Sequence, residues 1–189
     1  EINDATPVMQ WNNKFIVLSS QQGLMLVHQH RAHVGVIYKE LLKQLHEHKG
    51  LTQTLLFPEI IELSNHDIVT LQTMIDDLQY LGFGLDQFSP NSYSITAVPV
   101  LLGQTNPVET LMQVIHQVQD MGGTAQQHWQ ETMALALADR MAIPIGKVLS
   151  AMEMRDLLMQ LTEKHPAQYL TNGQTIISIL TADEIQKRF

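Results

Sequence analysis

The 189-residue sequence contains no cysteine. This absence excludes disulfides and thiolate metal sites, and it makes a reducing, cytoplasmic compartment the simplest expectation. The sequence also lacks a signal-peptide core and any apolar run of membrane-spanning length, so we expect no membrane contact. Because the first residue is Glu rather than Met, we expect the chain to be part of a longer protein.

Positive charge is scarce: 11 lysines and arginines stand against 19 aspartates and glutamates, and the net charge is −8. The basic residues are scattered, which argues against a module that grips nucleic-acid phosphates by itself. Aromatic residues make up only 6%, but 44% of the residues are hydrophobic and ten are methionine. Such a chain can bury a core of helix faces built from Leu, Ile and Met.

Two common catalytic signatures are absent as well. Gly82-Phe83-Gly84 lacks the remainder of a dinucleotide-binding loop, and no Gly-x-Ser-x-Gly nucleophile turn occurs. The acidic residues show no pairing that indicates an acid–base couple. The patterns therefore give no support to these enzyme classes.

Local patterns predict strands and helices in mixed order. Apolar runs at 15–18 and 24–27 flank a turn-like stretch and predict a β-hairpin, whereas residues 1–13 are predicted to be an irregular lead-in. From Arg31 to about His48 the apolar residues recur at helical spacing, which predicts a helix. Residues 51–63 are mostly extended, and Pro58 among them favours an edge strand or a bulge.

The second half of the chain carries clear boundary signals. Short strands are predicted at 85–88, 93–98 and 176–180. Gly122-Gly123 is predicted to end a helix. Helix starts are predicted from capping or proline signals at Ser64 or Asn65, Pro107, Ser150 and Thr181.

This mixture of few strands and several helices predicts an α+β fold. The middle block, residues 51–123, has the elements of a small sheet with two helices. Residues 1–50 and 124–189 then have to pack together as a discontinuous second layer. The sequence thus predicts two subdomains, one inserted into the other.

Several short stretches, in order along nearly the whole chain, resemble the C-terminal domain of bacterial MutL mismatch-repair proteins. They are His28-Gln29-His30-Arg31-Ala32-His33 with Ile37-Tyr38, Gln53-Thr54-Leu55-Leu56-Phe57-Pro58, Leu81-Gly82-Phe83 with Phe88-Ser89-Pro90-Asn91-Ser92-Tyr93, Ala97-Val98-Pro99-Val100-Leu101-Leu102, and Asn172-Gly173 before Ile176-Ile177. The resemblance implies a homodimer, with residues 1–50 and 124–189 as the dimerisation subdomain and 51–123 as an external, regulatory subdomain. Phe15, Val17, Ile177 and Ile179 are the candidates for the dimer contact.

The resemblance also implies partners and a location for the parent protein. ATP and Mg²⁺ would bind N-terminal ATPase domains outside this chain, and MutS and DNA would be met through the full-length protein. The protein would act in the bacterial cytoplasm, in association with the nucleoid.

Many members of this family are latent metal-dependent endonucleases, and their metal motif is altered here. The signature begins Asp-Gln-His-Ala, with one Glu four positions after the His and another five positions later. Here His28 replaces the Asp, Gln29 and His30 are kept, and Val34 and Lys39 replace the two glutamates.

The later parts of the metal motif are also changed. The family's Cys in an Ala-rich helix corresponds to about Asp139, and its Cys-Pro-His becomes Leu170-Thr171-Asn172. We therefore expect no nuclease activity and no cofactor in this domain. The alternative is a divergent endonuclease that holds Zn²⁺ or Mn²⁺ with His28, His30 and Asp139, since His28 and His30 share a face if their strand continues.

Gln53-x-Leu55-Leu56-x-Pro58 resembles the segment with which the family contacts the replication sliding clamp. An extended peptide would present Leu55 and Leu56 to an apolar pocket, and Gln53 would fix the register by hydrogen bonds. The alternative is an ordinary edge strand whose leucines face the core of the subdomain.

Overall fold

A computed structural model describes residues 5–120, 126–164 and 167–189 of the chain. In chain order its elements are β1 (Met9–Trp11), β2 (Phe15–Ser20), β3 (Gly23–His28), α1 (Gln29–Glu47), β4 (Thr52–Glu62), α2 (Asn65–Tyr80), β5 (Gly84–Ser89), β6 (Ser92–Pro99), a 3-10 turn (Val100–Leu102), α3 (Pro107–Asp120), α4 (Gln126–Met141), α5 (Ala151–Lys164), β7 (Ile177–Thr181) and α6 (Ala182–Gln186). The predicted α+β class is confirmed, with two antiparallel sheets of which one joins strands from both chain ends.

The backbone divides into two compact units. The first unit comprises Glu1–Val36 and Ala142–Phe189, and the second comprises Ile37–Met141. The subdomain boundaries predicted from the sequence, at residues 50/51 and 123/124, stay a prediction.

The first unit contains the four-stranded antiparallel sheet, in the order β1-β2-β3-β7. The predicted hairpin is confirmed as β2 and β3. The prediction of an irregular lead-in is wrong for residues 9–11, because β1 pairs with β2 there. Asn12 and Asn13, both at positive φ (54° and 49°), form the turn between these strands, a conformation that asparagine tolerates better than most residues.

The helices of the first unit begin where local chemistry predicts. In α5 the Ser150 hydroxyl accepts from the Glu153 N–H, and the Glu153 carboxylate accepts from the Ser150 N–H. Thr181 and Glu184 form the same reciprocal pair at the start of α6. Both predicted capping boxes are therefore present, and each satisfies two backbone donors that the first helical turn leaves unpaired.

The second unit contains the sheet β4-β6-β5, also antiparallel, together with α2, α3 and α4. The edge strand predicted around Pro58 is confirmed as β4, and its pairing with β6 is irregular between Thr54 and Glu59. Ser64 caps α2 and α3 begins at Pro107, both as predicted. Apolar side chains such as Leu78, Ile95, Leu111 and Leu137 are fully buried and form its core.

The predicted helix end at Gly122-Gly123 falls outside the described residues. Among the residues that the structure describes, no helix is long and apolar enough to cross a membrane.

Candidate functional site

The strand register of the first sheet decides which side chains share a face, because directly paired residues of antiparallel strands point to the same side. Phe15 pairs with Trp11 and His28, and Val17 pairs with Met9. These five side chains therefore lie on one face. Leu24, Leu26 and Leu180 lie on the same face by the same rule.

The opposite face of this sheet contributes most of its buried apolar side chains, although Val17 is buried on the first face. Ile16, Leu18 and Val27 are buried there, and β7 contributes Ile177 and Ile179. The four residues predicted to make the dimer contact thus fall on opposite sides: Phe15 and Val17 on one face, Ile177 and Ile179 on the other. Sequence reasoning treats these apolar runs as equivalent, since only the register separates them.

We call the first of these faces the outer face, comprising Met9, Trp11, Phe15, Val17, Leu24, Leu26 and Leu180. Trp11 is 54% exposed, and Met9 and Leu24 are exposed too. The rings of Trp11 and Phe15 lie 5.7 Å apart, and Phe15 meets His28 edge-on at 5.3 Å. A shallow depression of about 250 Å³, lined in part by Met9, Val17 and Leu24, opens beside this face.

The strands that form the outer face carry no Asp, Glu, Lys or Arg. Monomeric sheets commonly place charges on their edge strands to prevent association. Exposed apolar surface on such a sheet is a feature of interaction sites. The outer face therefore has the chemistry of a surface that is covered by another protein surface.

The three histidines at the junction of β3 and α1, His28, His30 and His33, differ in their surroundings and in their hydrogen-bond partners. His28 and His30 would share a strand face only if the strand continued to His30, and this condition is not met, because β3 ends at His28 and α1 begins at Gln29. His28 is buried at the end of the outer face. Burial, together with the nearby charges of Arg31 and Lys14, lowers the pKa of His28 to about 4.

His30 and His33 bind the backbone of Ile143, in the loop that precedes α5. The Nδ1 atom of His30 lies 2.8 Å from the carbonyl oxygen of Ile143, to which it donates. The Nδ1 atom of His33 accepts from the Ile143 N–H at 2.9 Å, which requires the neutral ring. Burial, with smaller contributions from His30 and Lys147, lowers the pKa of His33 to about 4 and so favours that form.

The remaining positions of the metal signature offer few ligands. Val34 and Leu170 are buried apolar side chains, and the side-chain oxygen of Asn172 accepts from the Gln174 N–H. Lys39 is exposed. These residues do not fit a site built from carboxylates, imidazole and thiolates.

Asp139 lies on α4 in the second unit, whereas His28 and His30 belong to the first. Within residues 5–120, 129–164 and 167–189, no three His, Cys, Asp or Glu side chains are grouped so that they can hold a metal ion. The absence of nuclease activity stays a prediction.

Two glutamines, Gln10 and Gln29, hold the same loop, and the sequence assigns this role to neither of them. Gln29 is fully buried, and its amide donates to the carbonyl oxygens of Asn13 (3.0 Å) and Lys147 (2.9 Å). Gln10 donates to the Lys147 oxygen at 2.8 Å and to the Gln29 side-chain oxygen at 2.7 Å. The loop partners are backbone groups more than a hundred residues away in sequence, so no local pattern reveals these bonds.

The candidate clamp-binding segment lies on the edge strand of the second unit. Thr54 pairs with Ala97 and Glu59 pairs with Ile95, so four residues of β4 stand opposite Thr96 alone. Leu56 is 87% exposed, Gln53 and Pro58 are exposed, and Leu55 is half-buried.

Phe57, within the same segment, is 79% exposed, although it is not among the predicted contact residues. The sequence signal for it is the apolar run Leu55-Leu56-Phe57, of which it is the third member. Leu56 and Phe57 together make the exposed apolar tip of this bulge.

Strands from both ends of this α+β chain build one sheet, and the exposed apolar side chains on the outer face of that sheet are typical of an association domain. Residues 8–149 match the family model described as the MutL C terminal dimerisation domain. The chain belongs to this family, which confirms the resemblance inferred from its motifs.

Curated relatives agree with the family match. The chain is 34% identical to the DNA mismatch repair protein MutL of Bacteroides fragilis over 188 residues, which is 100% of this chain and 30% of that protein. It is 32% identical to MutL of Phocaeicola vulgatus over 95% of this chain and 29% of that protein. MutL of Parabacteroides distasonis is 32% identical over 98% of this chain and 30% of its own length. The chain thus spans less than a third of each of these proteins.

Proposed function

We propose that two copies of this domain associate through their outer faces and thereby join two copies of a MutL-type mismatch-repair protein. The observation that carries this proposal is an apolar sheet face on which Met9, Trp11 and Leu24 are exposed and whose strands carry no Asp, Glu, Lys or Arg, in a chain of a dimerisation family. In a symmetric dimer the same patch is used on both copies, so it has to be self-complementary. An apolar face whose strands carry no charged side chain suits this condition, and the one ammonium recorded over it, that of Lys14, lies 5.6 Å from the centre of the Phe15 ring.

Aromatic residues are the natural anchors of such an interface. Trp and Tyr are enriched among the residues that dominate binding free energy, and a packed pair of rings presents a large rigid surface. Trp11 and Phe15 form such a pair on the outer face. We therefore expect Trp11 to contribute more to self-association than any other exposed side chain of this face.

Substitution of Trp11 by Glu tests the outer face. The wild-type chain should sediment as a dimer at micromolar concentration, and Trp11→Glu should raise the dimer dissociation constant by at least roughly a hundredfold, since a charge then faces its own copy. The matched control is Phe88→Glu, which replaces an aromatic residue of similar exposure in the second unit. A monomeric wild type, or equal effects of the two substitutions, would contradict the proposal.

In the parent protein this association would hold two N-terminal ATPase regions close together, so that ATP and Mg²⁺ bound there control a clamp on DNA. MutS and DNA would be partners of that full-length protein, in the bacterial cytoplasm near the nucleoid. The domain's net charge of −8 supports this division of labour, because nucleic-acid binding then depends on other regions.

We also propose that the bulged part of β4 contacts the replication sliding clamp. Its apolar tip, Leu56 and Phe57, is exposed, which speaks against the alternative that both leucines of this edge strand face the core of the subdomain. Paired residues on either side hold the segment extended, so little conformational entropy is lost when it binds.

Pull-down of purified clamp tests this contact. Gln53→Ala with Leu55→Ala, and separately Leu56→Ser with Phe57→Ser, should abolish capture of the clamp. Val69→Ser, an exposed apolar residue on α2, serves as the control and should leave capture unchanged. If both double variants capture the clamp as well as the wild type does, the proposed contact is contradicted and these residues have only a structural role.

We further propose that the domain itself is not a nuclease and has no resident metal. Support comes from Val34 and Leu170, which are buried apolar side chains at positions where the signature requires ligands. Supercoiled DNA incubated with Mn²⁺ and the domain should stay intact. Nicking that is lost in both His30→Ala and Asp139→Asn would establish the alternative, a divergent endonuclease.

A further inference from the structure

The depression beside the outer face belongs to that face by strand register. Met9, Val17, Ser19 and Leu24 all line it. Met9 pairs with Val17, and Ser19 pairs with Leu24, so these side chains lie on the same side of the sheet. The depression is therefore part of the surface that the outer face presents to a second copy, at the end of the sheet away from His28.

The depression has the size and the chemistry of a site for one aromatic side chain. Its volume is about 250 Å³, and an engineered apolar cavity of ~150 Å³ is enough to hold benzene. Met9, Val17 and Leu24 supply apolar contact surface, and the hydroxyl of the exposed Ser19 supplies a hydrogen-bond acceptor. An indole has the matching requirements, because its rings are apolar and its N–H needs an acceptor when it leaves water.

Trp11 is the outer-face side chain with these properties. It is 54% exposed, and its ring contact with Phe15 at 5.7 Å supports it from one side. It lies two residues beyond Met9 on β1, and it is not among the described residues that line the depression of its own chain. An indole for this depression therefore has to come from a second copy.

We propose that Trp11 of each copy fills the depression of the other, with the strands of the two sheets packed end for end. The inference rests on the dimer proposed above and assigns its geometry. A two-fold axis that lies in the interface and crosses the strands near Val17 brings Trp11 of one copy over the depression of the second. The same rotation brings Trp11 of the second copy over the first depression, so one contact is made twice, as a closed symmetric dimer requires.

The position of Lys14 favours this arrangement over the alternative in which like ends of the two sheets meet. The Lys14 ammonium lies 5.6 Å from the centre of the Phe15 ring, at the end of the outer face that carries Trp11. Like-end packing would bring two such ammonium groups close together, and like charges juxtaposed at an interface weaken it. End-for-end packing instead places each of them near residues 20–23 of the other copy, a turn that contains no charged residue.

Filling the depression from within its own chain tests this proposal. Ser19→Phe should raise the dimer dissociation constant at least about tenfold, because the new ring excludes the indole of the second copy. In a Trp11→Ala background the same substitution should lower the constant, since the ring then replaces part of the lost apolar contact. On a plain apolar face an added ring would strengthen association in both backgrounds, so the reversal of sign is specific to a filled depression.

The matched control is Gln87→Phe, which adds the same ring at an exposed strand residue of the second unit. It should leave the dissociation constant unchanged in both backgrounds. Because Ser19 is exposed, Ser19→Phe should also leave the melting temperature of the monomer at low concentration unchanged.

The relative direction of the two sheets is measured separately. The chain has no cysteine, so Gln21→Cys in the turn between β2 and β3 gives a single site for a nitroxide spin label. Gln21 lies four residues beyond Val17 in each copy, so end-for-end packing should place the two labels more than about 20 Å apart at ~3.3 Å per strand residue. Like-end packing would place them about 10 Å apart, which is the distance between packed sheets.

The failure of this inference is distinguishable from the failure of the proposed function. If Trp11→Glu converts the dimer to monomer but Ser19→Phe does not weaken the otherwise wild-type dimer, the depression is not the site of Trp11 and the proposed function stands. A label separation near 10 Å would likewise overturn the end-for-end arrangement alone. A monomeric wild type would overturn both.

Discussion

Replacing Gln29 by leucine should destabilise the chain by about 2 kcal/mol, because three hydrogen bonds of a fully buried amide are lost. The amide donates to Asn13 and Lys147 and accepts from Gln10. At about 1 kcal/mol for each bond, the polar loss is about 3 kcal/mol, and the burial of an apolar side chain of similar size offsets about 1 kcal/mol. In the variant, the carbonyl oxygen of Asn13 no longer has the side-chain donor that Gln29 supplies in the wild type.

Urea denaturation at one fixed protein concentration measures this change, since the stability of an associating protein depends on concentration. The midpoint should fall while the dependence on denaturant stays the same. Gln44→Leu is the matched control: this buried glutamine donates to Glu40 at 3.3 Å, and its loss should cost less than about 1 kcal/mol. A loss below about 0.5 kcal/mol for Gln29→Leu would refute the reasoning that this amide network holds the loop.

Two further predictions concern the pH dependence and the sheet. The pKa of His33 is about 4 in the folded chain and about 6.5 when unfolded, so the unfolded state takes up the proton first. The contribution of neutral His33 to stability should thus be complete above pH 6.5 and should be lost as the pH drops toward 4. In thermal melts, the melting temperature of His33→Gln should therefore decline less over this pH range than that of the wild type. An equal decline would mean that another group, for example His28, causes the pH dependence. Gly23→Ala should lower the melting temperature strongly, because the added Cβ would clash with the Leu180 carbonyl oxygen. Gly173→Ala places its Cβ in open space and should cost only the strain of its positive φ. Equal effects of these two glycine substitutions would contradict the close approach of β3 and β7.

The parts of the fold that the sequence predicts are those with local chemical causes. Ser150 with Glu153 and Thr181 with Glu184 are capping boxes because each pair lies one turn apart, and such reciprocal bonds need no tertiary context. β1 escapes prediction because three residues are too few to show a period, and its pairing partner supplies most of its definition.

The site is harder to predict than the fold, because its contacts depend on register and on distant backbone. Phe15 and Ile177 are both apolar strand residues, and only the alignment of β2, β3 and β7 reveals that they point to opposite faces. His30 and His33 look like ligands in the sequence, yet their partner is the backbone of Ile143, which sequence spacing does not indicate.

The bonds of Gln29 and His30 also bear on how related sequences are classified. Both residues lie at positions of the metal signature, but here each donates a hydrogen bond to a backbone carbonyl oxygen of the loop between α4 and α5. Neither of these hydrogen bonds requires a metal ion. In this chain the Gln-His pair is therefore an architectural element, and its presence alone is no sign of cleavage activity. The positions that bear on cation binding are Val34 and Lys39, neither of which offers a carboxylate in this chain.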